Sequence, residues 1–355
     1  MAKTFKELWP QVVSWENLVR AYQKCRRGKR YESLAAQFDF DWESQLLRLQ
    51  KELISNAYRP GAYRNFYIYE PKRRKISAAP FRDRVVHHAI VRVLEPIYER
   101  RFIYDSYACR IGKGTHAAID RAQTFLRNYG YYLKTDIVKF FPNVDHEVMR
   151  QTICKTIADS ALKRLIDLVL VSGEGVLDDE ATNEYFPGDD LLAILRPKGL
   201  PIGNLTSQFF ANVLLDQVDH FAKETLRVPG YVRYADDMIL FSNSKEELWR
   251  FRERLAEFLA LQRLCIHPKK TYVRCSSLGV AFLGLKLSRS GRRLPQSNIR
   301  RFSSRLRRMR WLWSNGQIEP KKIGESLVGW TNYADGTNSI GIRKAIWKRV
   351  RFKKR

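Results

Sequence analysis

The sequence is poor in cysteine, methionine and histidine, and above all in acidic charge. Its 355 residues include five Cys, four Met and six His, and 37 Asp and Glu face 64 Lys and Arg. The cysteines, Cys25, Cys109, Cys154, Cys265 and Cys275, are odd in number and form no C-x-x-C pair, which excludes a disulfide framework and a zinc ribbon. They are read as reduced and structural. No histidine stands in an H-x-x-x-H arrangement with cysteine partners, so no zinc site is expected. No apolar run approaches the roughly 18 residues of a membrane-spanning helix; the longest, around Leu165 to Val171, is about half that. The opening Met1 to Pro10 carries Lys3, Lys6 and Glu7 without the apolar core of a secretory signal. The expectation is a chain with no membrane partner and a cytoplasmic location.

The shortage of acid leaves a formal charge of +27. Such an excess adds nothing to fold stability and points to a polyanion, because each phosphate met by Lys or Arg releases condensed counterions. Nucleic acid is the favoured partner, with an anionic membrane surface the weaker rival. The charge is uneven: residues 290 to 355 hold 18 basic and three acidic side chains, +15 of the total, with Trp311, Trp313, Trp330 and Trp347 interleaved. This pattern suits a folded basic module lying on a nucleic-acid backbone.

Periodicity organises the rest. Residues 11 to 55 carry apolar positions at helical spacing (Leu46, Leu47, Leu49, Leu53, Ile54), with Asp41 placed to cap the second helix. Tyr63 to Ile76 reads as a hairpin around Pro71-Lys72-Arg73-Arg74, and Arg82 to Arg101 as a helix. Residues 131 to 137 and 231 to 241 read as buried strands, separated by helical stretches near 145 to 171 and 204 to 226, an alternation that indicates an α/β core. Residues 172 to 198, rich in Asp, Glu and Gly, read as a solvated insertion.

Chemistry is concentrated where carboxylates interrupt apolar strands. Asp236 and Asp237 lie inside Tyr231 to Phe241, and Asp136 ends the earlier strand, followed by Phe140-Phe141-Pro142-Asn143. Burying such charge is costly unless a cation compensates. Three carboxylates on two neighbouring strands suit a pair of Mg²⁺ ions, hard cations that clamp the attacking and leaving oxygens of an in-line phosphoryl displacement. Ile111-Gly112-Lys113-Gly114-Thr115 lacks the earlier Gly of a Walker loop and is rejected as one.

Tyr234-Ala235-Asp236-Asp237 resembles the active-site box of reverse transcriptases, and the run from Asp136 to His146 resembles the first-aspartate box of their bacterial branch, which includes group II intron and retron enzymes. Lys75 to Val86 and Ser106 to Gly114 are similar to the two fingers motifs, and His267-Pro268-Lys269-Lys270-Thr271 and Phe282-Leu283-Gly284 to the palm-closing motifs. The resemblance implies a right-hand polymerase with an α+β palm: an N-terminal helical extension at 1–60, fingers at 61–130, a palm at 131–288 including the acidic insertion at 172–198, and a basic helical thumb at 289–355. It implies Asp136, Asp236 and the backbone carbonyl of Ile137 as ligands of two Mg²⁺ ions, with Mn²⁺ as a substitute, and Asp237 as a supporting catalytic carboxylate. Lys75 and Arg110 match residues that hold the incoming deoxynucleotide's triphosphate. Phe141 matches the side chain that rejects the sugar 2′-hydroxyl, and Lys270 a lysine that protonates pyrophosphate.

The box Gly199 to Gln208 departs from most bacterial members, which carry Gln in place of Ile202 and Pro in place of Gln208. Its Ile-Gly-x-x-x-Ser-Gln form resembles the reverse transcriptases of diversity-generating retroelements. These copy a template RNA into cDNA with errors opposite its adenines, and work with a small basic pentameric accessory protein. An apolar β-branched side chain in place of a long amide would weaken polar discrimination around the nascent pair. The chain stops at Arg355 soon after a thumb-like Ser326 to Ala334 pattern, so no nuclease domain is expected. A retron or phage-defence enzyme and a non-catalytic maturase-like RNA-binding protein are the alternatives. The resemblance points to a bacterial cell, with a phage or plasmid as an alternative carrier.

Overall fold

The structure is a computed structural model that describes residues 4–28, 33–69 and 73–349. Its N-terminal part is four helices, α1 (Trp9–Val13), α2 (Trp15–Arg26), α3 (Ser33–Phe40) and α4 (Trp42–Ile54). The Ser14 side chain caps α2 by accepting from the Asn17 amide at 3.2 Å, and Leu18, Ala21, Tyr22 and Cys25 fall on its buried stripe. Asp41 does occupy the N-cap position of α4, but its side chain makes no capping bond. The expected hairpin forms from β1 (Arg64–Ile68) and β2 (Arg74–Ala78), with Arg64 opposite Ala78 and Ile68 opposite Arg74. Pro71 and Lys72 of its turn lie outside the described residues; Arg73, just after them, stacks its guanidinium 4.2 Å from the Tyr67 ring centre. Helices α5 (Phe81–Glu99) and α6 (Thr115–Asn128) follow.

The middle of the chain runs β3 (Tyr131–Thr135), the single turn α7 (Phe140–Asn143), α8 (His146–Cys154), α9 (Ser160–Val171), α10 (Leu205–His220), β4 (Gly230–Tyr234), β5 (Asp237–Ser242), α11 (Lys245–Leu261) and β6 (Tyr272–Cys275). The sheet order is β4-β5-β3-β6 with every neighbour antiparallel, so the sheet is of α+β type, where alternation alone indicated an α/β core. The 231–241 stretch is not one strand. It is the hairpin β4–β5, with Tyr234 opposite Asp237 and Ala235-Asp236 as a two-residue turn.

Side chains alternate across this sheet, and both faces are covered. Leu133, Tyr231, Met238 and Leu240 join a core that runs without interruption from Leu8 through α2, α4, α5, α9 and α10 to Leu264. Tyr132, Val232, Ile239 and Phe241 face a second core made with α6 and the small sheet of β7 (Val280–Phe282), β8 (Leu285–Leu287) and β9 (Arg292–Arg293). The expected boundary near residue 60 is therefore no boundary in the packing.

Three basic helices close the described chain: α12 (Gln296–Ser314), α13 (Pro320–Ala334) and α14 (Ile340–Arg349). Trp330 stacks on Phe302 at 4.1 Å and donates Nε1–H to Asn298 at 3.0 Å, whereas Trp311 is 60% exposed. The interleaved tryptophans thus differ in role. These helices meet the rest at the β7–β8 turn, where Leu283 and Gly284 both take positive φ. A Cβ on Gly284 would lie 2.3 Å from the Tyr333 hydroxyl, so α13 can dock there only against glycine.

Residues 172 to 198 are more than a solvated loop. Leu177 is buried, and Gly173 lies so close to Pro201 that a Cβ would fall 2.7 Å from its ring. Asp179 reaches Lys75 on β2 at 2.8 Å, Thr182 exchanges two hydrogen bonds with Asn143, and Asp189 pairs with Arg196 and Arg263. The segment is a strap that crosses from the β1–β2 hairpin to the loop after β3. Among the described residues, no helix is long and apolar enough to cross a membrane.

Candidate active site

Antiparallel pairing brings the three predicted carboxylates together. The β4–β5 turn lies beside the C-terminal end of β3, because Thr135 pairs with Met238 and Asp136 is the next residue. Asp136 is held from behind by its own backbone: its carbonyl accepts from the His267 amide at 2.7 Å, and Val138 donates to Cys265 at 2.9 Å. Ile137 between them is buried and bridges Ile266. Asp236 sits in the turn after Ala235, which has φ +53°, a conformation unfavourable for a residue with a Cβ.

The electrostatics are those of anions withdrawn from water. The Asp236 carboxyl is pushed well above the usual carboxylate range, first by burial and then by the negative charge of Asp136, which is near enough for a proton to bridge the two. Asp237 is raised to about 6 by burial, even though Lys134 opposes the shift with a 3.1 Å ion pair. Lys134 also donates to the Ala281 carbonyl at 2.7 Å, which ties Asp237 to β7. Lys270 forms an ion pair with Asp136 Oδ2. One oxygen each of Asp136 and Asp237 is buried with no hydrogen-bond partner.

Those orphaned oxygens test whether a divalent cation fits. Hard oxygen donors that repel one another and lack protons to accept are what Mg²⁺ binds, so the orphaned oxygen of Asp136, beside the buried Asp236 carboxyl, fits such an ion. As the side chains stand, among the described residues no three His, Cys, Asp or Glu gather into a cluster able to hold a metal. Asp237 is turned to Lys134 instead.

The remaining predicted residues are distributed around this centre. Lys75 lies on β2, its ammonium on Asp179 of the strap. Arg110 does not face an open cleft: it donates to both oxygens of Glu99 at 3.0–3.3 Å and to the carbonyls of Ile103 and Ser106, and its side chain is 5% exposed. Its placement differs from that of a triphosphate ligand, because an interior carboxylate eleven residues upstream already matches the guanidinium fork. Phe141 is half-buried against Phe140, ring centres 5.4 Å apart. Ile202 is half-buried, its carbonyl accepting from Ser77 of β2, and Gln208 is exposed on the first turns of α10, where its Oε1 accepts from the Cys109 thiol at 3.4 Å. Asn204 fastens the box, accepting from the Ala79 amide and donating to the Ser77 and Pro201 carbonyls.

Sequence reasoning missed Arg233, Asp219 and Asn212, which lie directly behind the turn. A signal existed. Arg233 interrupts an apolar strand, and Asn212, Asp216 and Asp219 recur at helical spacing on α10.

The antiparallel sheet presents its paired aspartates at a hairpin turn, and residues 69–287 match the family described as reverse transcriptase (RNA-dependent DNA polymerase). The chain belongs to that family. It is 24% identical over 336 residues to Protein YkfC of Escherichia coli K12, covering 81% of this chain and 82% of that one. It is 25% identical over 307 residues to the group II intron-encoded protein LtrA of Lactococcus lactis subsp. cremoris, covering 70% of this chain and 51% of LtrA. To the Arabidopsis thaliana nuclear intron maturase 2 it is 28% identical over 185 residues, 47% of this chain and 25% of the maturase. The chain thus spans most of YkfC but only about half or less of the two intron proteins.

Proposed function

We propose that the protein synthesises DNA on an RNA template by metal-assisted phosphoryl transfer. The observation that supports this reading is the meeting of Asp136, at the end of β3, with Asp236 in the β4–β5 turn, where one buried oxygen of Asp136 and one of Asp237 have no protein donor. Asp136 and Asp236, with the Ile137 carbonyl, would hold two Mg²⁺ ions, or Mn²⁺ in their place, and Asp237 would support them. Bound there, the ions supply charge stabilisation for the attacking and leaving oxygens. Lys270, which pairs with Asp136, would hand a proton to departing pyrophosphate, and Lys75 would exchange Asp179 for the triphosphate. The sheet acts as the palm, the β1–β2 hairpin as part of the fingers and α12–α14 as the thumb on a template–primer duplex.

The retroelement-diversification form of this activity is supported by Ile202 and Gln208 alone. An accessory protein of net positive charge would be repelled by a chain at +27, so its contact requires a local exception. The strap offers one in exposed Leu191, Leu192 and Leu195 beside acidic residues. A maturase-like role has its own support in the similarity to an intron maturase and in the basic surface, but it has no use for the paired aspartates.

The test is primer extension on a mixed-sequence RNA with Mg²⁺ and four deoxynucleotides, with every product sequenced. Asp236→Asn is expected to lower extension by about a thousandfold. Equal extension by this variant would refute the polymerase reading and favour the RNA-binding one. Errors concentrated opposite template adenines support diversification; few, evenly spread errors place the chain with the retron-like enzymes.

A further inference from the structure

The side chain of Arg233 has no exposure at all. Its Nε and Nη2 donate to the two oxygens of Asp219, each at 2.6 Å, and Nη2 also donates to Ser106 Oγ at 2.9 Å. Nη1 donates to Asn212 Oδ1 at 3.1 Å and to the Ala235 carbonyl at 3.2 Å. Tyr231 donates its hydroxyl to Asp219 at 2.7 Å. The backbone of Arg233 is clamped as well, its amide on the Asp105 carbonyl and its carbonyl on the Tyr107 amide.

Stability gives little reason for this arrangement, since a buried ion pair seldom outperforms apolar side chains of the same volume. What it supplies is fixed geometry. Among the described residues, the bond from this cluster to the active-site turn ends on the carbonyl of Ala235, the residue held at φ +53°. That carbonyl belongs to the peptide leading into Asp236, so fixing it fixes the plane from which the Asp236 side chain departs. A strained turn persists only where its surroundings over-determine it.

We propose that Arg233 is a positioning residue for Asp236: locked by Asp219, Asn212 and Ser106, it holds the Ala235 carbonyl and keeps the turn aimed at Asp136. The inference rests on the polymerase reading above. Arg233→Lys keeps a cation beside Asp219, but one ammonium cannot reach Asp219, Asn212 and Ala235 together. Expected is a fall in kcat per active site of roughly 10- to 100-fold, with KM for deoxynucleotide and Kd for template–primer within about twofold. Adding Ala235→Gly, which removes the Cβ penalty at positive φ, is expected to recover about threefold or more of the lost kcat. A purely structural role predicts neither: unchanged kcat per active site, equal loss of nucleic-acid binding, or no recovery by Ala235→Gly overturns the proposal. Should Arg233→Lys not fold, Asn212→Ala leaves the Asp219 pair whole and is read by the same split, with a loss in kcat of about threefold or more expected. If the unmutated chain extends no primer, the polymerase reading fails on its own. Titration with Mn²⁺, followed by electron spin resonance, then decides the positioning role: Arg233→Lys weakens binding about tenfold if Arg233 aims the carboxylate, and unchanged affinity overturns it.

Discussion

The central sheet and the C-terminal helices use charge in opposite ways. Around β4 and β5 the charges are few, buried and each fixed by several partners, as in the Arg233–Asp219 pair with neither side chain exposed. On α12 they are many and exposed, with a narrow apolar stripe of Phe302 and Leu306 beneath them. A carboxylate that must meet a reacting atom needs one geometry, whereas a cation that meets a phosphate backbone works in many, because that contact is long-ranged and screened by salt. The strap belongs to neither kind: Asp179 meets Lys75 at the surface, whereas the Asp189 side chain is almost buried against Arg196 and Arg263.

This contrast can be broken at several points. The largest effect is expected from Arg300, Arg307 and Arg308, which lie on the face of α12 opposite Phe302 and Leu306. Replacing all three with Gln should weaken binding to an RNA–DNA duplex roughly 10-fold or more and reduce the steepness of log Kd against log salt by about two to three, leaving kcat at saturation nearly unchanged. A change in kcat with no change in salt dependence would mean that α12 shapes the active site instead. Asp216 sharpens the other half. Burial and the neighbouring Asp219 raise its carboxyl to about 6, so the folded state holds a proton more tightly than the unfolded one. Its contribution is then most favourable below the ordinary carboxylate range near 4 and is lost as pH rises through 6. Asp216→Asn should therefore stabilise the protein by about 1–2 kcal/mol at pH 8 and by less at pH 5, measured by urea unfolding. The smallest effect is expected from Asp179→Asn. Freeing Lys75 from a partly exposed ion pair should change stability by less than about 1 kcal/mol and lower KM for deoxynucleotide by about two- to threefold. An unchanged KM would remove Lys75 from the nucleotide's path.

The clustered carboxylates of the candidate site were legible because an acid inside an apolar strand is conspicuous whatever surrounds it. The turn between Tyr234 and Asp237 was not, since a strand-like run does not show where a hairpin folds when Ala takes the left-handed position usually given to Gly. The strap was misread for a related reason: its acids and glycines mark solvent locally, while Lys75, Asn143 and Arg263, which pin it, are remote in sequence. Arg110 stands where the motif places it, but Glu99, which claims it, carries no local sign of doing so. The need for Gly284 likewise comes from Tyr333, which only the docking of α13 brings near.

The core that runs unbroken from Leu8 to Leu264 has a consequence for how the chain folds. Helices α1–α4 leave the ribosome before α5, yet the surfaces on which α1, α2 and α3 pack outside that group are supplied by α5 and α9. Until those arrive, the early helices wait as short, amphipathic segments that are only marginally helical in water. Acquisition of structure is thus delayed and then concerted, and cutting the chain after α4 would release two unstable pieces in place of a smaller enzyme.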